Sequence, residues 1–390
     1  MNGFLGSKPV VTTDPAKLEQ QAKSKMTPKA FNFLAGGSGE RATVDANRLA
    51  FQQWKIVPRM LRGSEPRDLS ITLFGKKYPT PIMIAPIGFQ NIFHKDAETG
   101  VAGVASELGI PYVMSMNSYS TVEEVGTASK NNDRWFQLYW PPSDYMTIQI
   151  LERAKAAGFN VLVVTLDAFT LGWRPWDLDE GYMPANMPRF PNTTPTKVPN
   201  GTVVRDVPPP PAGNGTGDAS PFKWDQYFSP PPSWDRLKFL RQHWPGPILL
   251  KGIQHPDDAE QALTAGMNGI IVSNHGGRQA DGGIGSLDAL PEIVEAVGGK
   301  MTVLFDSGVR TGADVIKALS LGANGVLIGR PWAYGLGIGG KEGAKAVLRG
   351  ILAQVEINMS IAGIKSVKEC NRSVLRRLGY YGSGGNLSSN

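Results

Sequence analysis

Short runs of apolar and β-branched residues alternate with stretches of helical periodicity from residue 81 onward. The runs predict eight strands, at residues 81–88, 110–116, 134–140, 160–167, 247–253, 269–276, 302–308 and 325–331. Helical stretches between them, such as PDDAEQALTAG and TGADVIKALSLG, open with Pro or Thr and close with Gly, as helix termini prefer. Eight strand–helix units in series predict an α/β fold, a parallel (β/α)8 TIM barrel.

A doubly wound open sheet is the alternative arrangement of parallel strands and helices. Such sheets usually have five or six strands and a glycine-rich loop after the first strand. The first run and its continuation, PIMIAPIGFQN, contain no such loop. The barrel is therefore the favoured fold.

Two segments stand outside the repeat. Residues 1–80 predict an N-terminal helical arm, with FNFLAGGSGE, a second helix around TVDANRLAFQQW and a hairpin at SITLFGKKYP. Residues 176–235, after the fourth strand, contain VPPPPAGNGTGD and SPPPSW, a composition in which no periodic element is expected. A long insertion at this place indicates a lid or a disordered loop. The expected division is thus an arm, a catalytic barrel over residues 81–364 and a tail over residues 365–390.

Composition and charge restrict the function classes. Apolar residues make up 41% and charged residues 19% of the 390 residues, which is ordinary for a globular protein with a large core. The net charge of +6 is spread without a run of like charges, so neither a nucleic acid nor a membrane is an expected partner. Cys370 is the only cysteine, which excludes an internal disulfide and a cysteine-built metal site. With no apolar leader segment near the N-terminus, we expect a cytosolic protein.

Polar side chains stand at the predicted carboxyl ends of neighbouring strands, where barrels of this kind form their active sites. They are Gln137 and Tyr139 on strand three, Thr165 and Asp167 on strand four, Lys251 on strand five, and Ser273, Asn274 and His275 on strand six, with Arg278 just beyond. Taken singly, each is more often a packing or surface residue than a catalyst. Their coincidence on one rim predicts an active site that contains one of the four histidines, His275.

The loops after the last two strands carry DSGVR (306–310) and GR (329–330), and each runs into a predicted helix start. Small residues expose backbone N–H groups there, and a helix N-terminus attracts an anion. The glycines are also explained if they only permit tight turns. The paired Arg310 and Arg330, which would add charge-assisted hydrogen bonds, favour a phosphate-bearing cofactor instead.

The motif SNHGGRQ (273–279) resembles the FMN-dependent α-hydroxy acid oxidase and dehydrogenase family, which includes glycolate oxidase, lactate oxidase, lactate 2-monooxygenase and mandelate dehydrogenase. IAPIG, FQLYW, TLDAFTLGWRP, LLKG, FDSGVRTGADV and LIGRP extend the resemblance, in order, over about residues 20–380. The resemblance implies FMN as cofactor, a small anionic 2-hydroxy acid as substrate and a homo-oligomer, a tetramer or an octamer. Because no haem-binding domain is expected before the barrel, oxygen is favoured as the electron acceptor.

The resemblance also implies a role for each matching position. His275 would take the substrate hydroxyl proton while Asp167 holds its imidazole; the α-hydrogen would leave as hydride, and a carbanion route stays open. Tyr139 would hydrogen-bond the substrate, Arg174 and Arg278 would bind its carboxylate, and Lys251 would stabilise negative charge on the reduced flavin. The other matches would contact the flavin ring and ribityl chain (Pro86, Ile87, Gly88, Ser115, Gln137, Thr165 and Ser273) or the ribityl tail and phosphate (Asp306, Gly308, Arg310, Gly329 and Arg330).

Two positions bear on the substrate and the product. Gly88 stands where many oxidases of the family have alanine, and with the LGWRPWDLD run it resembles the lactate 2-monooxygenase branch, in which lactate is oxidised and decarboxylated. The family usually has a tyrosine that hydrogen-bonds the substrate carboxylate at the position of Phe33. The missing hydroxyl weakens binding by about 1.5–3 kcal/mol, or it indicates a bulkier, less polar substrate.

Three other functions are open from the sequence. An FMN enzyme could oxidise an amine, an imine or a larger secondary metabolite with the same His275 base. A flavin-free lyase or isomerase could use Lys251 as a Schiff base and bind a substrate phosphate at Arg310 and Arg330. A non-enzymatic scaffold is disfavoured, because His275, Arg278, Asp167 and Lys251 are all present.

Overall fold

The computed structural model describes residues 8–63, 67–181, 192 and 233–378. Its strands, numbered in chain order, are β1 Trp54–Ile56, β2 Ile71–Leu73, β3 Lys76–Tyr78, β4 Ile82–Ile84, β5 Tyr112–Ser115, β6 Arg134–Tyr139, β7 Val161–Thr165, β8 Ile248–Ile253, β9 Gly269–Val272, β10 Thr302–Phe305, β11 Gly325–Ile328 and β12 Leu375–Arg377. Its α-helices are α1 Pro15–Lys25, α2 Pro28–Ala35, α3 Ala42–Gln53, α4 Ala97–Leu108, α5 Val122–Ala128, α6 Asp144–Ala156, α7 Pro175–Asp179, α8 Leu237–His243, α9 Pro256–Thr264, α10 Ser286–Val297, α11 Gly312–Ser320 and α12 Arg330–Ala362.

Strands β4 to β11 form a closed barrel in which each strand pairs in parallel with its neighbours in the chain and β11 returns to β4. This confirms the (β/α)8 barrel and excludes the open sheet. Each of the eight predicted runs contains one barrel strand. Four of the strands, β4, β9, β10 and β11, end three or four residues before the predicted runs do, because the last residues of those runs leave the ladder and form the rim.

The alternation of side chains along the barrel strands explains why the mouth of the barrel is polar. Met83, Val113, Val163, Leu249 and Ile271 belong to one apolar cluster, in which residues on neighbouring strands are packed together. Side chains of a strand alternate between its two faces, so the residue two positions further along points the same way. In this chain those residues are Ala85, Ser115, Thr165, Lys251 and Ser273, of which all but Ala85 are polar. The strand period therefore carries each strand from an apolar core into a polar rim.

The opposite end of the barrel is closed by the β2–β3 hairpin, which was expected at residues 70–79. Leu73 and Tyr78 of the hairpin pack into the interior cluster. The buried carboxylate of Asp133, just before β6, accepts hydrogen bonds from Lys76, Tyr78 and Asn160. This carboxylate thus joins the hairpin to the barrel on the side away from the rim.

The N-terminal arm packs against the long last helix and the rim. Helices α2 and α3 lie where the sequence predicted them, although α2 ends at Ala35 and the GGSGE segment is not helical. Helix α1, which the sequence did not predict, packs on α12. Strand β1 of the arm pairs antiparallel with β12, with Trp54 opposite Arg377. The first and last described segments of the chain are therefore joined in one small sheet.

The insertion after β7 begins with a short helix, α7, and ends with a 3-10 turn at Trp234–Arg236. The expectation that no regular element occurs over residues 176–235 is wrong at these two edges, where Pro175 fixes the first helical turn and Trp234 packs against the core. Most of the predicted lid lies outside the described residues. Its one described interior residue, Asn192, is buried and accepts a hydrogen bond from the Val122 amide at 3.0 Å.

We expect Asp133→Ala to lower the free energy of unfolding by about 1–3 kcal/mol, because it leaves the buried Tyr78 hydroxyl without its hydrogen-bond partner. Urea unfolding followed by circular dichroism measures this change. Asp257→Ala is the matched control, since the Asp257 carboxylate is 79% exposed and its pairing with His255 adds little. Equal unfolding energies for the two variants would contradict this role of Asp133.

Candidate active site

His275 and Asp167 form a hydrogen-bonded pair at the carboxyl end of the barrel. The His275 Nδ1 lies 2.8 Å from the Asp167 Oδ1. Burial raises the pKa of Asp167, but the His275 and Lys251 charges lower it further, so the group stays ionised. Burial lowers the pKa of His275, and the charge of Asp167 only partly reverses this. The imidazole is therefore neutral at pH 7, with its Nδ1 proton donated to the carboxylate and its Nε2 able to accept a proton.

The backbone around His275 turns in an uncommon way. His275 itself has a φ of 57°, and Gly276 and Gly277 follow with φ of 67° and 74°. Residues other than glycine rarely adopt this left-handed region, and when they do, the surrounding structure must hold them. The turn lifts the imidazole out of the strand direction and toward the loop after β7, where Asp167 lies.

Two arginines and one tyrosine surround the pair. The ring of Tyr139 lies 6.5 Å from the His275 ring, at 23° to it. The Arg174 Nε donates to the Arg278 carbonyl at 2.9 Å, so the two arginines belong to one cluster. Burial and the nearby Arg174 charge lower the pKa of Arg278 to about 9. Two cations held this close favour an anion between them, as the predicted substrate carboxylate would be.

Phe33 of helix α2 also belongs to this cluster. The Arg278 guanidinium carbon lies 4.8 Å from the centre of the Phe33 ring, and the Arg278 Nη1 donates to the Phe33 carbonyl. The ring packs on Phe89 and Phe93, with centroid distances of 6.1 and 6.2 Å. Phe33 thus fixes Arg278 through a cation–π contact and its own backbone. Because phenylalanine has no hydroxyl, Phe33 cannot donate a side-chain hydrogen bond to a substrate.

Lys251 belongs to a second polar group inside the barrel. Its Nζ donates to the Ser273 Oγ at 2.9 Å and lies 3.4 Å from the Asp306 Oδ2. Burial lowers the pKa of Lys251, but Asp306 and Asp167 more than offset this, so its pKa is raised. Lys251 therefore carries a permanent positive charge inside the barrel. A Schiff-base lysine needs the opposite shift of its pKa.

The residues predicted to contact the flavin ring line the barrel mouth. The Gln137 Nε2 donates to the Thr165 Oγ1 at 2.9 Å, and Ser115 accepts from the Asn117 amide. Pro86, Ile87 and Gly88 follow β4 and are partly buried. Within the described residues, the Gln137 Oε1 is buried without a hydrogen-bond partner. A donor from a bound group would satisfy this oxygen.

Close packing against Asn117 explains why residue 88 is a glycine. A Cβ atom at this position would lie 2.7 Å from the Asn117 carbonyl oxygen and 3.1 Å from the Asn117 Cβ. The Phe89 amide donates to the same carbonyl. The glycine permits this close approach of two loops, so it gives no separate support to the lactate 2-monooxygenase interpretation.

The two loops predicted to bind phosphate differ in how well the helix start that follows each of them can accept an anion. Helix α11 is already capped, because Thr311 and Asp314 form a capping box and Asp314 also accepts from the Arg310 amide. At the start of α12, Gly329 has no side-chain cap hydrogen bond, and a Cβ built on Gly329 would meet only the Ala85 Cβ, at 4.0 Å. An anion is therefore better accommodated at the start of α12.

The arginines of these loops also differ. Arg330 donates through Nε, Nη1 and Nη2 to the carbonyls of Leu34, Gly276 and Gly36, at 2.8, 2.8 and 2.6 Å. Three of its five N–H donors thus join the arm to the loop of His275. Burial, with the Arg310 and Arg278 charges, lowers the pKa of Arg330 to about 9. A phosphate would offset this excess of positive charge, and Arg310 is the arginine with more donors left for it.

Sequence reasoning missed two residues that organise the rim. Gln279 accepts from the Arg174 Nη2 at 2.8 Å and donates to the Asp167 carbonyl at 2.8 Å, which joins the loops after β7 and β9. Glu98 of α4 is fully buried and accepts from the amides of Gln90, Tyr119 and Ser120. The available signals were the final residue of SNHGGRQ and an acidic residue inside the apolar helix AETGVAGVASEL.

The remaining histidines lie away from the rim cluster: His94 accepts from the Asp96 amide, His255 caps α9 and His243 ends α8. Within the described ranges, no group of three His, Cys, Asp or Glu side chains is arranged to hold a metal ion. None of the helices in that part of the chain has the length and apolar character that a bilayer crossing needs.

A barrel whose rim holds a histidine–aspartate pair, an internal lysine and a cluster of arginines is the arrangement expected of a flavin-binding oxidoreductase. Residues 22–377 match the FMN-dependent dehydrogenase family, and the chain belongs to it. This family membership establishes FMN as the cofactor and an α-hydroxy acid oxidoreductase as the class. The flavin-free lyase and the non-enzymatic scaffold are thereby excluded.

Similar proteins cover nearly the whole chain. The FMN-dependent alpha-hydroxy acid dehydrogenase qulF of Penicillium citrinum is 50% identical over 97% of this chain and 94% of its own length. An L-lactate oxidase of Lysinibacillus sphaericus is 38% identical over 90% of each chain. A solved mandelate oxidase with benzoyl-formic acid superposes with a TM-score of 0.80 at 34% identity, covering 94% of this chain and 98% of that one.

We expect Asp167→Asn to lower kcat by about 10²–10⁴-fold, because the imidazole loses the partner that fixes its proton on Nδ1. The base acts when neutral, so activity is lost as pH falls through the His275 pKa. Asp167 raises that pKa, and its removal therefore moves the acid limb of the pH profile to lower pH. A limb that moved to higher pH would contradict the contact between His275 and Asp167.

We expect Arg310→Ala to weaken FMN binding about 10- to 100-fold, since a hydrogen bond to a charged group contributes about 1.5–3 kcal/mol. Quenching of FMN fluorescence during titration into the apoprotein measures this affinity. Lys345→Ala is the control, because Lys345 pairs with Glu107 and Glu342 on the surface. An unchanged affinity in Arg310→Ala would place the phosphate elsewhere.

Proposed function

We propose that the protein oxidises an L-2-hydroxy acid to the 2-oxo acid, with oxygen as the electron acceptor. The observation that carries this proposal is the His275 imidazole, which is hydrogen-bonded to Asp167 in the same rim cluster as Arg174 and Arg278. A 2-hydroxy acid has the matching groups, namely an anion for the arginines and a hydroxyl proton for the base.

Each residue of the cluster has a separate task. Arg174 and Arg278 bind the carboxylate and orient C2, with Tyr139 as a further hydrogen-bond partner of the substrate. The His275 Nε2 accepts the hydroxyl proton, and Asp167 stabilises the imidazolium that results. Lys251 keeps a positive charge inside the barrel, where negative charge accumulates during reduction. FMN, when bound, supplies the acceptor for the two electrons that leave C2.

The size of the substrate side chain depends on Phe33. Similar proteins include an L-lactate oxidase and a 4-hydroxymandelate oxidase, whose named substrates differ greatly in size. A small acid is the first candidate. An apolar, bulkier substrate is the second, and it is favoured by the cluster of Phe33, Phe89 and Phe93 rings beside Arg278.

The cytosolic location, the homo-oligomer and the division into arm, barrel and tail stay predictions from the sequence. So does oxidative decarboxylation of the lactate 2-monooxygenase type. A product assay separates oxidative decarboxylation from simple oxidation. Oxidative decarboxylation gives a shortened acid and carbon dioxide, whereas simple oxidation gives the 2-oxo acid and hydrogen peroxide.

The proposal is tested in two half-reactions with purified holoenzyme. Glycolate, lactate, 2-hydroxybutyrate and mandelate, each as separate enantiomers where they exist, are mixed with the enzyme without oxygen, and flavin absorbance is followed. Oxygen is then admitted, and peroxide and the organic product are measured. We expect bleaching by L-enantiomers and release of the 2-oxo acid with peroxide. No bleaching by any 2-hydroxy acid would refute the substrate class, and slow reoxidation by oxygen would refute the acceptor.

Phe33→Tyr tests how the substrate carboxylate is held. We expect its KM for 2-hydroxy acids to fall about tenfold, since the new hydroxyl adds one donor to a charged acceptor. Steady-state kinetics with the best substrate of the panel measure this change. Phe169→Tyr, which adds a hydroxyl on a 48% exposed ring, is the control. A KM that is unchanged in Phe33→Tyr would mean that the carboxylate does not approach this ring.

A further inference from the structure

Ser307 adopts a backbone conformation that suits glycine. Its φ is 81°, and Gly308 follows with a φ of 85°. A side chain in this region meets the neighbouring backbone, whereas glycine adopts it without strain. Ser307 is nevertheless buried, on the loop between β10 and α11. Glycine would therefore be less strained than serine at this position, and only the contacts of the hydroxyl favour serine.

The Ser307 hydroxyl uses its full hydrogen-bonding capacity. It donates to the Asp306 Oδ1 at 2.8 Å. It accepts from the backbone N–H of Asn274 at 3.3 Å and from the backbone N–H of Gly276 at 3.0 Å. A hydroxyl offers one proton and two lone pairs, so no capacity is left for another partner.

The two amides that Ser307 accepts from lie on either side of His275 in the chain. The amide of His275 itself donates to the Ser273 Oγ at 3.0 Å. Two serine hydroxyls thus hold three successive amides at the point where the chain turns left-handed. Because His275 is not glycine, this turn needs such support.

Asp306 joins the two serines into a ring of polar contacts. Its Oδ1 accepts from Ser307, and its Oδ2 lies 3.4 Å from the Lys251 Nζ, which donates to Ser273. The loop after β10 is therefore connected to the backbone of His275 by two routes. The route through Ser307 is the shorter one, since it contacts the His275 turn directly.

We propose that Ser307 is a positioning residue for His275, which orients the imidazole by holding the amides of Asn274 and Gly276. The proposal rests on the proposed function, because it gives His275 the role of base. It adds that the loop of Asp306 and Gly308 sets the orientation of the base. The charged groups around that base are Asp167, Lys251 and Arg174, and none of them contacts the Ser307 hydroxyl.

Two variants distinguish the effect of losing the Ser307 hydroxyl from the effect of the backbone strain. Ser307→Ala removes the hydroxyl and keeps a Cβ at positive φ, whereas Ser307→Gly removes the hydroxyl and the strain together. Holoenzyme of each is compared with the wild type in melting temperature, FMN affinity, kcat and KM. Hydrogen exchange of residues 270–280, read by mass spectrometry, reports on the two amides without substrate.

We expect both variants to lose about tenfold or more in kcat, with KM and FMN affinity within about twofold of wild type, because misplaced catalytic groups lower the rate of the chemical step. Ser307→Gly should melt at a higher temperature than Ser307→Ala. Exchange at residues 274 and 276 should be faster in both. Wild-type kcat in Ser307→Gly would overturn the proposal, as would unchanged exchange.

Ser129→Ala is the matched control. The Ser129 hydroxyl is buried and donates to the Val125 carbonyl at 2.8 Å. It lies at the C-terminal end of α5, before β6 begins, and therefore at the end of the barrel opposite the rim. The variant should lower the melting temperature and leave kcat unchanged. If no 2-hydroxy acid is oxidised, the proposed function fails, but faster exchange at residues 274 and 276 would still show the structural coupling. Normal turnover with slow exchange would overturn the role of Ser307 alone.

Discussion

The left-handed turn at His275, Gly276 and Gly277 is the constraint on which the site depends. A strand that continued straight would carry the imidazole past the rim, away from Asp167. Because the chain turns, the imidazole meets that carboxylate at 2.8 Å. A turn of this kind is costly at a residue with a side chain. Much of the surrounding polar structure serves to hold it.

The N-terminal arm supplies part of this support from outside the barrel. Asn47 of α3 exchanges two amide hydrogen bonds of 2.8 Å with Asn274, and Arg330 joins the Gly276 carbonyl to those of Leu34 and Gly36. The arm also carries Phe33 beneath Arg278. His275, the proposed base, and Arg278, the proposed substrate arginine, are thus positioned by the same segment. A change in the arm that leaves every rim residue in place would still disturb the chemistry.

The barrel and most of its rim could be predicted from the sequence, because strand period and strand order act locally. Gln137, Thr165, Lys251 and Ser273 follow from counting along strands whose ends meet at one edge. Helix α1 and the β1–β12 pair could not be predicted, since they depend on contacts between distant segments. The same holds for the contacts of Gln279, Glu98 and Arg330, because the partners of these residues lie on other loops. Gly88 shows the converse: its neighbour Asn117, which the sequence does not reveal, explains the missing side chain.

A crystal structure of the FMN holoenzyme with a 2-oxo acid bound tests the central claim most directly. The account predicts the His275 Nε2 within hydrogen-bond distance of the C2 oxygen, with the carboxylate between Arg174 and Arg278. Asp167 should still contact Nδ1. An imidazole rotated away from the ligand, or a carboxylate held by groups other than these arginines, would contradict it.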